Sequence, residues 1–88
     1  MTVKPALPHS QLLVNDSVSF AYESVSYEIT TQLFQIGRSR WMVVQRLLIE
    51  GEQDTRDFAI KGDRSEAENL FDAAVTEANN VAFNCILS

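Results

Sequence analysis

The feature that most constrains this chain is a helix-period apolar stripe placed after a run of strand-period segments. Ala67, Leu70, Phe71, Ala74, Val75 and Ala78 recur at spacings of three and four. That spacing puts all six on one face of a 3.6-residue helix. Asp63-Arg64-Ser65-Glu66 stands at its entrance. Asp63 with Glu66, or Ser65 with Glu68, has the capping-box spacing, in which the cap oxygen and the third carboxylate satisfy free backbone donors. Glu66 and Glu68 also lie where the helix dipole favours negative charge. An apolar stripe of this kind must be buried against something, and the segments before it supply a sheet. Asn79-Asn80 reads as the stop. Beyond it Val81, Phe83, Cys85 and Leu87 alternate as a short final strand would, while Ala78, Val81, Ala82 and Cys85 also fit a continued helix.

The strand signals run upstream. Gln11-Leu12-Leu13-Val14 fits a short strand or one helical turn, and Asn15-Asp16-Ser17 punctuates it. Val18, Phe20 and Tyr22 alternate on one parity, and Val25, Tyr27, Ile29, Thr31 and Leu33 on the other. A one-residue slip flips a strand's faces, so a bulge or turn is expected at Glu23-Ser24. Residues 25 to 36 form a long strand, 37 to 40 a loop, and 41 to 50 a second strand that is apolar at nearly every position. Such a run predicts burial on both faces, or one face on the helix and one on a partner. A turn at 51 to 54 leads into a third, half-buried strand from Thr55 to Lys61 in which Arg56, Phe58 and Ile60 share a parity. The expected fold is α+β, a two-layer β-β-β-α arrangement: an antiparallel sheet of three or more strands, with room for an extra strand at either end, packed on one C-terminal helix. Residues 1–10, with Pro5 and Pro8, read as a flexible leader, and residues 11–88 as a single α+β domain.

Composition narrows the function classes. Seven Lys plus Arg against twelve Asp plus Glu give a net charge of −5. Such a chain repels polyphosphate as a whole, so nucleic acid is not the expected direct ligand, and a basic protein surface is. One Cys and one His rule out an intramolecular disulfide and do not supply the usual four-ligand zinc site. The longest apolar runs, Trp41 to Val44 and Leu47 to Ile49, are too short to span a bilayer. The start has no signal-peptide hydrophobic region. The expectation is a cytoplasmic protein that engages no membrane.

No catalytic constellation emerges. His9 lies in the proline-containing leader, whereas a general base needs a fixed position within reach of its target. Cys85 sits in an apolar stretch, as a packing residue does. Gly37, Gly51 and Gly62 make no phosphate-cradling loop. The reading is therefore not an enzyme, with no cofactor and no metal. Two candidate binding sets remain. Arg38, Arg40 and Trp41 stand at the tip of a long hairpin, and Trp and Arg are the residue types enriched in protein hot spots. The plain alternative is a solvated turn with Trp41 tucked into the core. Glu50, Glu52, Asp54 and Asp57 gather around one turn, and Glu66 and Glu68 at the helix entrance. Such carboxylates can mimic a phosphate backbone and occupy a basic groove, or simply confer solubility. The surplus of apolar residues in 41 to 49 exceeds what one helix covers, which points to a homodimer or a docked partner unless Leu12 to Val18 folds back over the second face.

In layout, residues 25 to 78 resemble the double-stranded-RNA-binding domain, through Val43 to Gly51, Phe58-Ala59-Ile60, Gly62 and Ser65-Glu66-Ala67-Glu68. That resemblance implies a sheet-plus-helix domain. In that family, lysines at the helix start contact phosphates; here the positions read Asp63-Arg64-Ser65-Glu66, which removes that chemistry. In size, acidity and lack of a catalytic site the chain is also similar to small phage-encoded inhibitors such as anti-CRISPR proteins, which cover or mimic a nucleic-acid surface. The expected function is a non-catalytic acidic protein-binding module, a regulator or inhibitor docking on a basic surface. A nucleic-acid-binding domain or a structural homo-oligomer is the alternative.

Overall fold

A computed structural model describes residues 10–87, without the side chains of residues 53 and 54. The leader expected at 1–10 falls outside the described residues, apart from Ser10. Four strands, β1 (Gln11–Tyr22), β2 (Val25–Gly37), β3 (Arg40–Ile49) and β4 (Glu52–Lys61), form one antiparallel sheet in sequence order. The helix α1 (Arg64–Leu87) crosses one face of it. The molecule is a thin slab, with Cα extents of 44 × 35 × 15 Å. The α+β two-layer architecture expected from the sequence is the observed one, and the extra strand is at the N-terminal end. Leu12 to Val18 therefore extends the sheet edge rather than folding over its second face.

Tight turns make this meander possible. Glu23 and Ser24 have φ of 52° and 69°, and Glu50 and Gly51 have φ of 55° and 83°. Two consecutive positive φ values are what a two-residue hairpin needs to match the strand twist. The parity switch at Glu23-Ser24 is thus a turn. The turn expected at 51 to 54 is shorter and earlier, Glu50-Gly51, and β4 begins at Glu52. Glu50 fixes this corner: its N–H donates to Ser26 O at 2.8 Å, and its carboxylate accepts from Ser26 N–H.

Register decides which side chains meet the helix. Leu33 pairs with Val43, and Val43 with Ala59. Leu33, Val43, Ala67 and Phe71 form the buried cluster, with Leu13, Trp41, Leu70 and Val75 packed around it. A shift between Leu12 and Val14 lets Leu13 reach this cluster from the edge strand. Burying each large side chain here contributes about 1.5–3 kcal/mol. The stripe read from the sequence is correct: Ala67, Phe71 and Ala78 are buried, and Leu70, Ala74 and Val75 half-buried. Burial of β3 on both faces is also found, Val43 being 5% exposed and its neighbour Val44 7%.

Two expectations fail. The helix does not stop at Asn79-Asn80, and residues 81–87 are its last two turns rather than a strand. Ala78 and Ala82 continue the buried stripe at the 3.6 period, so the helical ladder runs on without interruption. The apolar parity of β4 is not half-buried: Phe58 is 65% exposed and Ile60 is also exposed. The helix enters from β4 and lies mainly over β1, β2 and β3, so β4 turns Thr55, Asp57, Ala59 and Lys61 toward the helix side and its large apolar residues away.

Candidate binding surfaces

The sequence singled out nine residues, and the fold distributes eight of them over separate places, the Asp54 side chain lying outside the described residues. Arg38 is exposed in the β2–β3 turn. Arg40, at the start of β3, has the parity of Met42 and Val44 and belongs to the face away from the helix. Trp41 has the opposite parity and packs against the core cluster, its buried indole N–H making no hydrogen bond among the described residues. The tip therefore does not present Trp41 with the two arginines as one surface.

The carboxylates are also divided. Glu50 and Glu52 are exposed at the β3–β4 turn, and Glu66 and Glu68 at the helix entrance. The ten-residue strand β4 lies between these two ends, about 30 Å of extended chain. Glu50 is occupied in bracing Ser26. Glu68 accepts from Arg64 Nε at 2.9 Å, an exposed i,i+4 pair of the kind worth only a few tenths of a kcal/mol. Asp57 stands between two shallow grooves that flank the helix.

Two further surfaces emerge, the first where the apolar surplus of residues 41 to 49 pointed and the second not singled out in the sequence. The first is the sheet face away from the helix. Leu12 pairs with Phe34, Phe34 with Met42, and Met42 with Ile60, giving one apolar row across all four strands. Gln32, Val44 and Phe58 form the next row, and Arg46 opposite Arg56 the one after. A shallow concavity of about 420 Å³ runs between Phe34, Phe58, Arg46 and Arg56. Among the described residues, Arg40, Arg46 and Arg56 outnumber Glu28 on this face, so a chain of net charge −5 carries a locally cationic, aromatic floor. Parity was the available signal, since Arg40 and Arg46 share it in β3 and Arg56, Phe58 and Ile60 share it in β4.

The second surface lies at the far end of the helix. Val81, Phe83, Ile86 and Leu87 are exposed, the last three at 60%, 68% and 68%. Beside them a groove of about 410 Å³ opens between the helix and the sheet, floored by Phe20 and Tyr27, whose rings stack at 5.3 Å. Cys85, a free thiol, lies at its rim.

Among the described residues no group of His, Cys, Asp and Glu is placed to hold a metal, and no helix is long and apolar enough to cross a membrane. No family model, no curated protein and no solved structure matches this chain.

Proposed function

We propose that this chain is a non-catalytic protein-binding module, a small regulator or inhibitor that acts by covering part of another protein, and that it docks through the uncovered sheet face. The observation that carries this reading is the apolar row Leu12–Phe34–Met42–Ile60 with Phe58 beside it, in which Leu12, Ile60 and Phe58 are exposed and Phe34 and Met42 half-buried. Binding energy concentrates in apolar and aromatic anchors ringed by polar groups, with arginine prominent among them. The partner that fits is an apolar segment flanked by carboxylates, which meet Arg40, Arg46 and Arg56. The slab is 15 Å thick, and screening acts over about 8 Å at physiological salt. The acidic helix on the other side therefore adds little repulsion at this face. A basic partner, expected from net charge alone, belongs against the outer side of the helix, where Asp72, Thr76, Glu77 and Asn80 are exposed. That side offers charge but no large apolar anchor along residues 68–80, so the anchoring role is assigned to the sheet.

The test is capture of host proteins by the tagged chain, with and without nuclease, compared with Phe58→Asp and with a Glu66→Lys/Glu77→Lys variant. A nuclease-resistant partner that is lost with Phe58→Asp and kept with the charge-reversed helix supports the reading. A partner lost only with the charge-reversed helix transfers the site to the acidic side. Recovery that depends on nucleic acid, or a fluorescence-anisotropy shift of labelled single-stranded oligonucleotide abolished by Phe58→Asp, assigns the sheet face to nucleic acid.

A further inference from the structure

The last two turns of α1 reverse the usual order of an amphipathic helix. Ala78 and Ala82, small residues, face the sheet, and Phe83, Ile86 and Leu87, large ones, face solvent. Large apolar side chains grouped on the exposed face of a helix mark a surface that something else covers. From Ala78 to Leu87 the sequence holds no charged residue, only apolar side chains and the amides of Asn79, Asn80 and Asn84. The preceding stretch, Asp63 to Glu77, carries five carboxylates and one arginine.

We infer that this end of the helix is the interface between two copies of the chain. A two-fold contact sets each residue against the same surface on its partner, so charged residues near the axis face their own kind. In an acidic protein the self-complementary stretch must therefore be neutral, and residues 78–87 are the neutral stretch of the helix. Carboxamides suit such a contact because each is both donor and acceptor. The occupant of the groove is then the partner's Phe83 or Ile86, seated on the Phe20–Tyr27 floor of a groove whose one charged lining residue is Asp57, while the acidic halves of the two helices point away from each other. The area is sufficient. Val81, Phe83, Ile86, Leu87 and Tyr22 expose on the order of 500 Å² per chain, given that a fully exposed aromatic side chain offers about 150–250 Å². Two such surfaces together with the groove floor reach the ~1,200 Å² at which specific interfaces begin. This inference is independent of the sheet-face reading, because the surfaces lie on opposite sides of the slab, and a dimer formed this way leaves the helix-free sheet face of each copy uncovered.

The full chain is examined by analytical ultracentrifugation over a hundredfold range of concentration, alongside Phe83→Ser/Ile86→Ser and Phe58→Ser. In parallel a short bis-maleimide cross-linker is applied, using Cys85 as the chain's single thiol. Expected are a reversible dimer for the natural chain and for Phe58→Ser, cross-linked through Cys85, and a folded monomer, by circular dichroism, for the double variant. Because both substituted side chains are exposed in the single chain, the double variant keeps its fold. A monomer at every concentration, a dimer that survives Phe83→Ser/Ile86→Ser, or a dimer lost with Phe58→Ser overturns the inference.

Discussion

Between Ala67 and Val75 the helix turns Leu70, Phe71 and Val75 onto Leu33, Val43, Trp41 and Leu13. Between Ala78 and Leu87 it turns two alanines onto the sheet and its large side chains outward. The same helix lies on the same sheet in both halves, yet the first half closes a core and the second leaves a groove. A polar node separates them. Gln45 Nε2 donates to Thr31 Oγ1 and to the carbonyl of Ala74, each at 3.2 Å, tying the middle of the sheet to the middle of the helix. Thr31 is almost fully buried, so this node is dry on the sheet side. The contrast teaches that backbone proximity alone does not make a core. The volume of the side chains between two layers decides it, and here the volume is spent on one half only.

Four variants test that contrast, in descending order of effect. Phe71→Ala removes the largest side chain that the helix contributes to the closed half and is expected to cost about 3–5 kcal/mol, a large part of the stability of so small a domain, read by chemical denaturation. Gln45→Ala removes both bonds of the node and takes the Gln45 amide from the buried Thr31 hydroxyl, while the Ala74 carbonyl keeps its place in the helical ladder. It is expected to cost about 1–3 kcal/mol in the same assay. Ser24→Gly, in the turn at the open end, relieves a side chain held at φ 69° and is expected to raise stability by about 0.5–1 kcal/mol. Phe83→Ser/Ile86→Ser is expected to change the stability of the dilute monomer by less than about 0.5 kcal/mol, although the same pair deletes the largest apolar groups of the open half. If Phe71→Ala and Phe83→Ser/Ile86→Ser cost the same in dilute solution, the two halves are energetically alike and the contrast is lost.

The closed half was legible in the sequence, because Ala67 to Ala78 fit the 3.6 period and no other. The open half was not. Val81, Phe83, Cys85 and Leu87 satisfy a period of two as well as Ala78, Val81, Ala82 and Cys85 satisfy 3.6, and a segment in which only Asn84 interrupts the apolar run carries little phase information. In β4, parity joined Arg56, Phe58 and Ile60 correctly but could not say which face the helix covers. That depends on the helix leaving β4 and crossing toward β1, a tertiary fact. The candidate site suffered for the same reason. Glu52 and Glu66 are close in sequence but sit at opposite ends of a ten-residue strand. Arg46 and Arg56, ten residues apart, become direct cross-strand partners through the Glu50-Gly51 turn.

The most direct test of an unfinished half is hydrogen–deuterium exchange along α1 at two protein concentrations, below and above self-association. Amides of residues 70–77 should be protected equally at both, and those of residues 80–87 should exchange quickly in the dilute sample and slowly in the concentrated one. Equal protection of both stretches at both concentrations would contradict the division of the helix into a closed and an open half.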